Sequence, residues 1–246
     1  MKIISINVAG RSNFGKNYQE RIEKIAKMLE EEQADVVCMQ EVTFNETESL
    51  AEKINSLLNH PYSFCIAQMS EKYTFDKFSK AAMEKFKAGL TEHVGNYLTD
   101  GMAILSKNPI VNSSTIVMKP APADERGKPD LRVRIVQNIK LDSSITISNV
   151  HLATNNNAYM QLQELLDYGK SDIIVGDFNM STDDIKKHAN IWKDFYSEST
   201  DFENYISFPS EDATFDHMLL SPKFHFESIR TIDGLSDHSA IVFELN

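Results

Sequence analysis

Only two cysteines, Cys38 and Cys65, occur in the 246 residues. Both sit in apolar contexts, VVCMQ and SFCIA, and read as reduced core residues; so few thiols leave no material for a disulfide framework or a zinc cluster. Long apolar runs are missing too, none reaching the roughly 20 uncharged residues of a membrane-crossing helix. The N-terminus, MKIISINVAG, is charged but has neither the apolar core nor the small-residue cleavage site of a secretory leader. These absences point to a cytoplasmic protein with no membrane insertion and no evident obligate protein partner. Cations are outnumbered, 25 Lys and Arg against 36 Asp and Glu, for a formal net charge of −11. That balance argues against a general nucleic-acid coat, which relies on Lys and Arg to neutralise phosphates. It leaves room for an enzyme that meets a phosphodiester through divalent cations, because acidic clusters are metal sites in the making. With nine Gly, seven Pro, no repeat and no long linker, a 41% hydrophobic chain of this length reads as one domain over 1–246.

What is present is an alternation of strand and helix signals. Strands are expected at 2–8, 35–40, 62–67, 101–107, 109–118, 132–141, 144–152, 172–176, 214–220, 224–232 and 239–245, with a hairpin at Asp142 and Ser143. Helical spacing appears over 18–29, 46–58, 158–166 and 183–192. A stripe of Phe75, Phe78, Ala82, Phe86 and Leu90 within 68–98 reads as core packing, with a lid as its alternative. Many strands with helices in both halves favour two sheets packed face to face and covered outside by helices.

Polar residues recur where the apolar strands close. In SDIIVGDFNMST, Asp177 and Asn179 stand two apart, so in an extended chain they project to one side. They read either as a solvated turn or as half of a metal and phosphate site. Asn7 follows Ile3, Ile4 and Ile6 and by itself reads as a strand-end turn. Glu41 follows VVCMQ; a carboxylate closing a buried strand must be solvated, paired or bound to a cation, and capping and metal ligation both remain open. His151 ends ITISNVH, where a hydrogen-bonded structural histidine is the ordinary reading. Asp216 lies between apolar residues in ATFDHMLLS and needs a donor, which GLSDHSAIVFEL offers at His238, beside Asp237. A Ser-Asp pair at that place also reads as a cap.

Taken in order, ISINVAG, CMQEV, SNVHL, IIVGDFN, TFDHMLLS and GLSDHSAI resemble the motifs of the endonuclease/exonuclease/phosphatase superfamily, the DNase I-like fold, across almost the whole chain. The resemblance implies an α/β (α+β) architecture, a four-layer αββα sandwich of two packed β-sheets flanked by helices, with the site at one edge. It also implies hydrolysis of a phosphodiester or phosphomonoester by in-line attack of water, with Mg2+ as cofactor and Mn2+ as a substitute. Matched residue by residue, Glu41 becomes the principal metal ligand, with Asn7 beside it and Asp237 as a further metal or supporting carboxylate. Asp177 and Asn179 help hold phosphate, metal or attacking water. His238 becomes a base or transition-state stabiliser oriented by Asp216, and His151 contacts a non-bridging oxygen or assists the leaving group.

Some positions depart from the family's common patterns. Ala9 stands where many members carry an acid, which favours a single dominant cation. His217 replaces a frequent Tyr and reads as structural. SNVHLAT lacks the Tyr or Phe followed by Pro and Asn or Gln of abasic-site endonucleases, and looks more like the branch of DNase I, deadenylases, sphingomyelinases and inositol-phosphate phosphatases. Arg132 and Arg134 share a face if RVRIV is a strand, and read equally as phosphate contacts or a solvent-facing pair. No basic stripe emerges, which favours a phosphorylated small molecule or short nucleic acid over extended duplex DNA. A nuclease is the nearest alternative and a non-catalytic binding module the different-class one.

Overall fold

The computed structural model describes residues 1–10, 18–44, 48–68, 99–119, 134–154, 156–167, 171–187 and 205–246. A six-stranded sheet runs in the order β10 (Phe226–Ile232), β11 (Ala240–Leu245), β1 (Lys2–Asn7), β2 (Val36–Phe44), β4 (Thr99–Ser106), β3 (Ser63–Gln68). A five-stranded sheet follows chain order, from β5 (Ile110–Val117) through β6 (Ile135–Leu141), β7 (Thr146–His151) and β8 (Ile173–Asp177) to β9 (Asp216–Leu220). The strands β1, β8 and β11 are buried at nearly every position because each faces two cores. Ile3, Val175, Ile241 and Phe243 point between the sheets, whereas Ile4, Ile6 and Val242 point outward. The outward set is covered by α1 (Tyr18–Glu32) and α2 (Leu50–Ser56) through Ile22, Ile25, Leu29 and Ile54. On the other sheet Val150, Ile174 and Leu219 meet α3 (Asn156–Asp167) and α4 (Thr182–Lys187) through Ala158, Leu162 and Ile185. The result is the four-layer αββα sandwich of the DNase I-like fold. No helix among the described residues is long and apolar enough to cross a membrane.

Several element boundaries differ from the sequence expectation, each for a local reason. Helix α2 begins at Leu50, not 46, because Ser49 and Glu52 form a reciprocal capping box. Strand β2 runs on through Glu41 to Phe44. The turn joining β6 and β7 spans 142–145 with Ser144 left-handed at φ 68°, wider than the Asp142-Ser143 pair alone. Cys38 is buried, but Cys65 is only half-buried; both register with Ile104 from opposite sides, two strands apart, too far to bridge. The 69–98 stripe, Arg132 and the end of the 183–192 helix lie outside the described residues.

Topology gathers the polar strand ends. β1 is parallel to β2 and β7 to β8, while β11 and β9 run antiparallel to β1 and β8. The C-terminal ends of four strands and the N-terminal ends of two therefore converge on one edge. Gly176, one residue before Asp177, has φ +143°, and a Cβ there would lie 2.1 Å from the Val150 carbonyl oxygen. Gly176→Ala is expected to destabilise the protein by about 3 kcal/mol, from strain and clash together. Urea denaturation tests this, and an unchanged midpoint would refute the close approach.

Candidate active site

Asp177 stands at the centre of the converging ends, with a side chain only 2% exposed. Its Oδ2 accepts a hydrogen bond from Asn7 Nδ2 at 3.0 Å, across the gap between the sheets. The same oxygen lies 3.5 Å from His151 Nε2 and 3.9 Å from His238 Nε2. The strand register supplies His151 on one side of Asp177 and brings Asp216 to the other. Burial and the charge of Asp216 hold the Asp177 carboxyl above the ordinary carboxylate range, against the opposing pull of His238 and the hydrogen bonds from Asn179 and Asn7.

Asn179 enters differently from the expected same-side projection. The strand stops at Asp177, Asn179 is left-handed at φ 50°, and its backbone N–H donates to Asp177 Oδ1 at 2.8 Å. Its Nδ2 donates to the Leu152 carbonyl at 2.9 Å. The turn and the cluster are thus one structure: the Asx turn fixes Asp177 so that Oδ2 faces Asn7 and the histidines.

Glu41 is presented by a bulge. Between the pairs Met39–Ala103 and Val42–Gly101, β2 has two residues opposite one of β4, and Glu41 takes φ 53°. Its Oε1 lies 3.9 Å from His151 Nε2, so Glu41 and Asp177 flank one imidazole nitrogen. Gly10 locks the bulge from beside it, donating its N–H to the Glu41 carbonyl at 3.1 Å, where a Cβ would meet that oxygen at 2.0 Å. Beneath the bulge runs a buried amide ladder. Gln40 Nε2 donates to Asn149 Oδ1 at 2.7 Å, Asn149 Nδ2 to the Met39 and Ala103 carbonyls, and Gln137 Nε2 to the Cys65 carbonyl at 2.7 Å.

His238 and Asp216 form a close pair, with Nδ1 2.7 Å from Oδ2. Beside the Asp216 carboxylate Nδ1 is the donor, and Nε2 is turned toward Asp177. Burial lowers the affinity of the imidazole for a second proton, but the hydrogen bond and charge of Asp216, with the charges of Asp177 and Asp237, outweigh it and raise His238 to about 9. The Phe208 ring packs on the imidazole at 4.8 Å between centroids. Asp237 is half-buried and accepts from Ser236 Oγ at 2.9 Å; its charge acts on both His238 and Arg21. Arg21 in turn joins the Val8 and Leu235 carbonyls, tying the end of β1 to the segment that carries His238.

Of the two arginines singled out by sequence, Arg134 is described: it is buried immediately before β6, so it is no solvent-facing residue. The β6–β7 register extends to place it opposite Leu152, one residue beyond His151. His217 is fully buried, with Nε2 2.7 Å from the Met180 carbonyl and its ring edge-on to Phe178. Burial pushes it down to about 4, a neutral structural imidazole. Sequence reasoning did not single out Ser207, Tyr205, Phe208, Gln40, Asn149 or Gln137. Only the three amides left a signal, as polar residues within otherwise apolar strands.

The donor set suits a hard cation. Asp177, Asp216 and His238 bring ligand atoms within 4.8 Å of one another. His238 Nδ1 and Asp216 Oδ2 are committed to each other, however, which leaves the Glu41 side of Asp177 as the fitting place. There Asn7 Oδ1 accepts from Ala9 N–H at 2.9 Å and keeps a second lone pair. Asp216 Oδ1, buried, has no hydrogen-bond partner among the described residues, and the Glu41 carboxylate, 19% exposed, stands 3.9 Å from His151 Nε2. Oxygen donors with one or two carboxylates are what magnesium selects.

The profile of the Endonuclease/Exonuclease/phosphatase family matches residues 4–238. The chain belongs to that family, whose members are hydrolases of phosphate esters and generally use divalent metals. None of the curated proteins matches the chain by sequence. Among solved structures, a family protein from Leptotrichia buccalis superposes with a TM-score of 0.70 at 16% identity, covering 100% of this chain and 99% of that one. The human nocturnin catalytic domain with bound sulfate gives 0.64 at 19%, covering 100% and 93%. A mannosyl-6-phosphatase from Bacteroides thetaiotaomicron gives 0.60 at 15%, covering 100% and 99%.

Proposed function

We propose that the protein is a magnesium-dependent phosphoesterase that hydrolyses a phosphate ester by in-line attack of water. One observation carries the reading: a buried carboxylate, Asp177, lies within 4 Å of Asn7 from one sheet, His151 from the other and His238 from the segment before β11. Phosphoryl transfer asks little covalent help of a protein; positioning and charge stabilisation dominate. Glu41, with Asn7 and Asp237, would hold the cation, which when bound neutralises phosphate charge and acidifies water. Asp177, with its raised carboxyl, takes the proton of the attacking water. His238 stands as an imidazolium held by Asp216 and faces the developing charge on the phosphate oxygens. His151 contacts a non-bridging oxygen or the leaving group, and Asn179 fixes Asp177. Arg134, buried just before β6, would supply positive charge to the phosphate.

A nuclease running the same chemistry is favoured by one feature. Phe208 and Phe215 are half-buried rings 5.7 Å apart, beside His238, and such faces stack on bases. The test is hydrolysis of bis(p-nitrophenyl) phosphate, p-nitrophenyl phosphate, RNA and plasmid DNA with Mg2+, Mn2+ or chelator. Hydrolysis in Mg2+, partial replacement by Mn2+ and loss in chelator are expected. Unchanged turnover after chelation sinks metal dependence, and no turnover on any substrate sinks the enzymatic reading.

A further inference from the structure

Asp216 opens β9 in the five-stranded sheet, whereas His238 leads into β11 of the six-stranded sheet. The pair therefore spans two sheets, and its 2.7 Å contact requires something to hold the two backbones in step. Among the described residues β9 is the last strand of its sheet, and no described strand pairs with its outer side at Asp216. Ser207 occupies that side. Fully buried, it accepts the backbone N–H groups of Phe215 at 2.8 Å and Asp216 at 3.0 Å on its Oγ. Its own carbonyl accepts the N–H of Ser239 at 2.8 Å, next to His238. Its N–H donates to Ala213 at 3.0 Å, closing the turn against β9.

The geometry assigns Ser207 as the positioning residue of the Asp216–His238 pair, a clamp that bonds both backbone segments carrying it. The assignment rests on the catalytic reading of that pair given above. Two neighbours reinforce the clamp. Tyr205 Oη donates to the Asp216 carbonyl at 2.7 Å, and the Phe208 ring, one residue on, limits rotation of the imidazole. Without the Ser207 hydroxyl, two buried N–H groups lose their acceptor, and the start of β9 must shift to find another. A shift of about 1 Å at a positioned group is enough to lower turnover by about 10²-fold.

The test compares Ser207→Ala, Ser207→Thr and His238→Ala in the full chain, using bis(p-nitrophenyl) phosphate with Mg2+. Ser207→Ala is expected to lose about 10²-fold in kcat with KM within about twofold, and Ser207→Thr, which keeps the oxygen, to recover most of it. In proton NMR the downfield signal of the His238 Nδ1 proton shifts or broadens in Ser207→Ala and returns in Ser207→Thr. Should Ser207→Ala fail to fold, Ser207→Cys, with a weaker acceptor in the same place, is expected to give an intermediate loss and a displaced signal. Parental kcat and an unmoved signal in the folded Ala or Cys variant, with His238→Ala inactive, overturn the clamp alone. Parental kcat in His238→Ala overturns the catalytic reading on which it rests.

Discussion

His238→Ala is expected to lower kcat by about 10³-fold on every phosphate ester the protein hydrolyses, within the 10²–10⁴ range of a positioned acid–base or charge-stabilising group. The size follows from how little else can replace it. The imidazole is 10% exposed, its Nδ1 is fixed by Asp216, and its free Nε2 faces the carboxylate that would take the water proton. No other described side chain is held between Asp216 and Asp177 in this way. The variant also leaves Asp216 buried without its donor, so a lower melting temperature accompanies the kinetic loss. Kinetics and thermal denaturation on one preparation separate the two effects. A folded variant within tenfold of the parental kcat would remove His238 from the mechanism.

Glu41→Gln is expected to weaken magnesium affinity by about 10²-fold, and with it turnover at low cation concentration. The substitution is nearly isosteric and keeps the bulge, whose φ 53° backbone and Gly10 contact do not depend on the carboxylate charge. What changes is the supply of anionic oxygen, the property by which hard cations are selected. Calorimetric titration with Mg2+ and Mn2+ reads the affinity directly, and rate against cation concentration should shift in parallel. Equal affinity in parent and variant would place the cation elsewhere.

The strand-end pattern was legible because both sheets bury two faces, so any polar residue in an apolar run stands out against a strong background. Asn7, Asp177 and Asp216 are of this kind, and the structure brings them together with His238 from the segment before β11. The conformations that aim them were less legible. Asp177 and Asn179 read either as alternate residues of one strand or as a turn; Asn179 is left-handed, so the turn holds, and the spacing alone did not show that it also aims Asp177. Glu41 owes its exposure to a bulge created by pairing with β4, whose Gly101 lies 60 residues further along the chain. Arg134 could be read as solvent-facing because burial depends on what packs over a strand end. Ser207 had no signal at all: its proposed role depends on the outer side of β9 at Asp216, where its Oγ meets two backbone N–H groups. The fold was thus readable from periodicity and motif order, whereas the geometry of the site depends on long-range pairing.

The amide ladder of Gln40, Asn149 and Gln137 has a consequence for how this protein reaches its working form. Each sheet alone would leave these side chains, and the Met39, Ala103 and Cys65 carbonyls that receive them, without their mates. Docking is therefore sensitive to register, since sliding one sheet against the other by a residue breaks these cross-sheet bonds together. Asp177 meets Asn7 only across that same seam. A half-assembled chain, however much strand it has formed, lacks the Asp177–Asn7 contact, so the hydrolysis proposed above is expected only after the seam has closed.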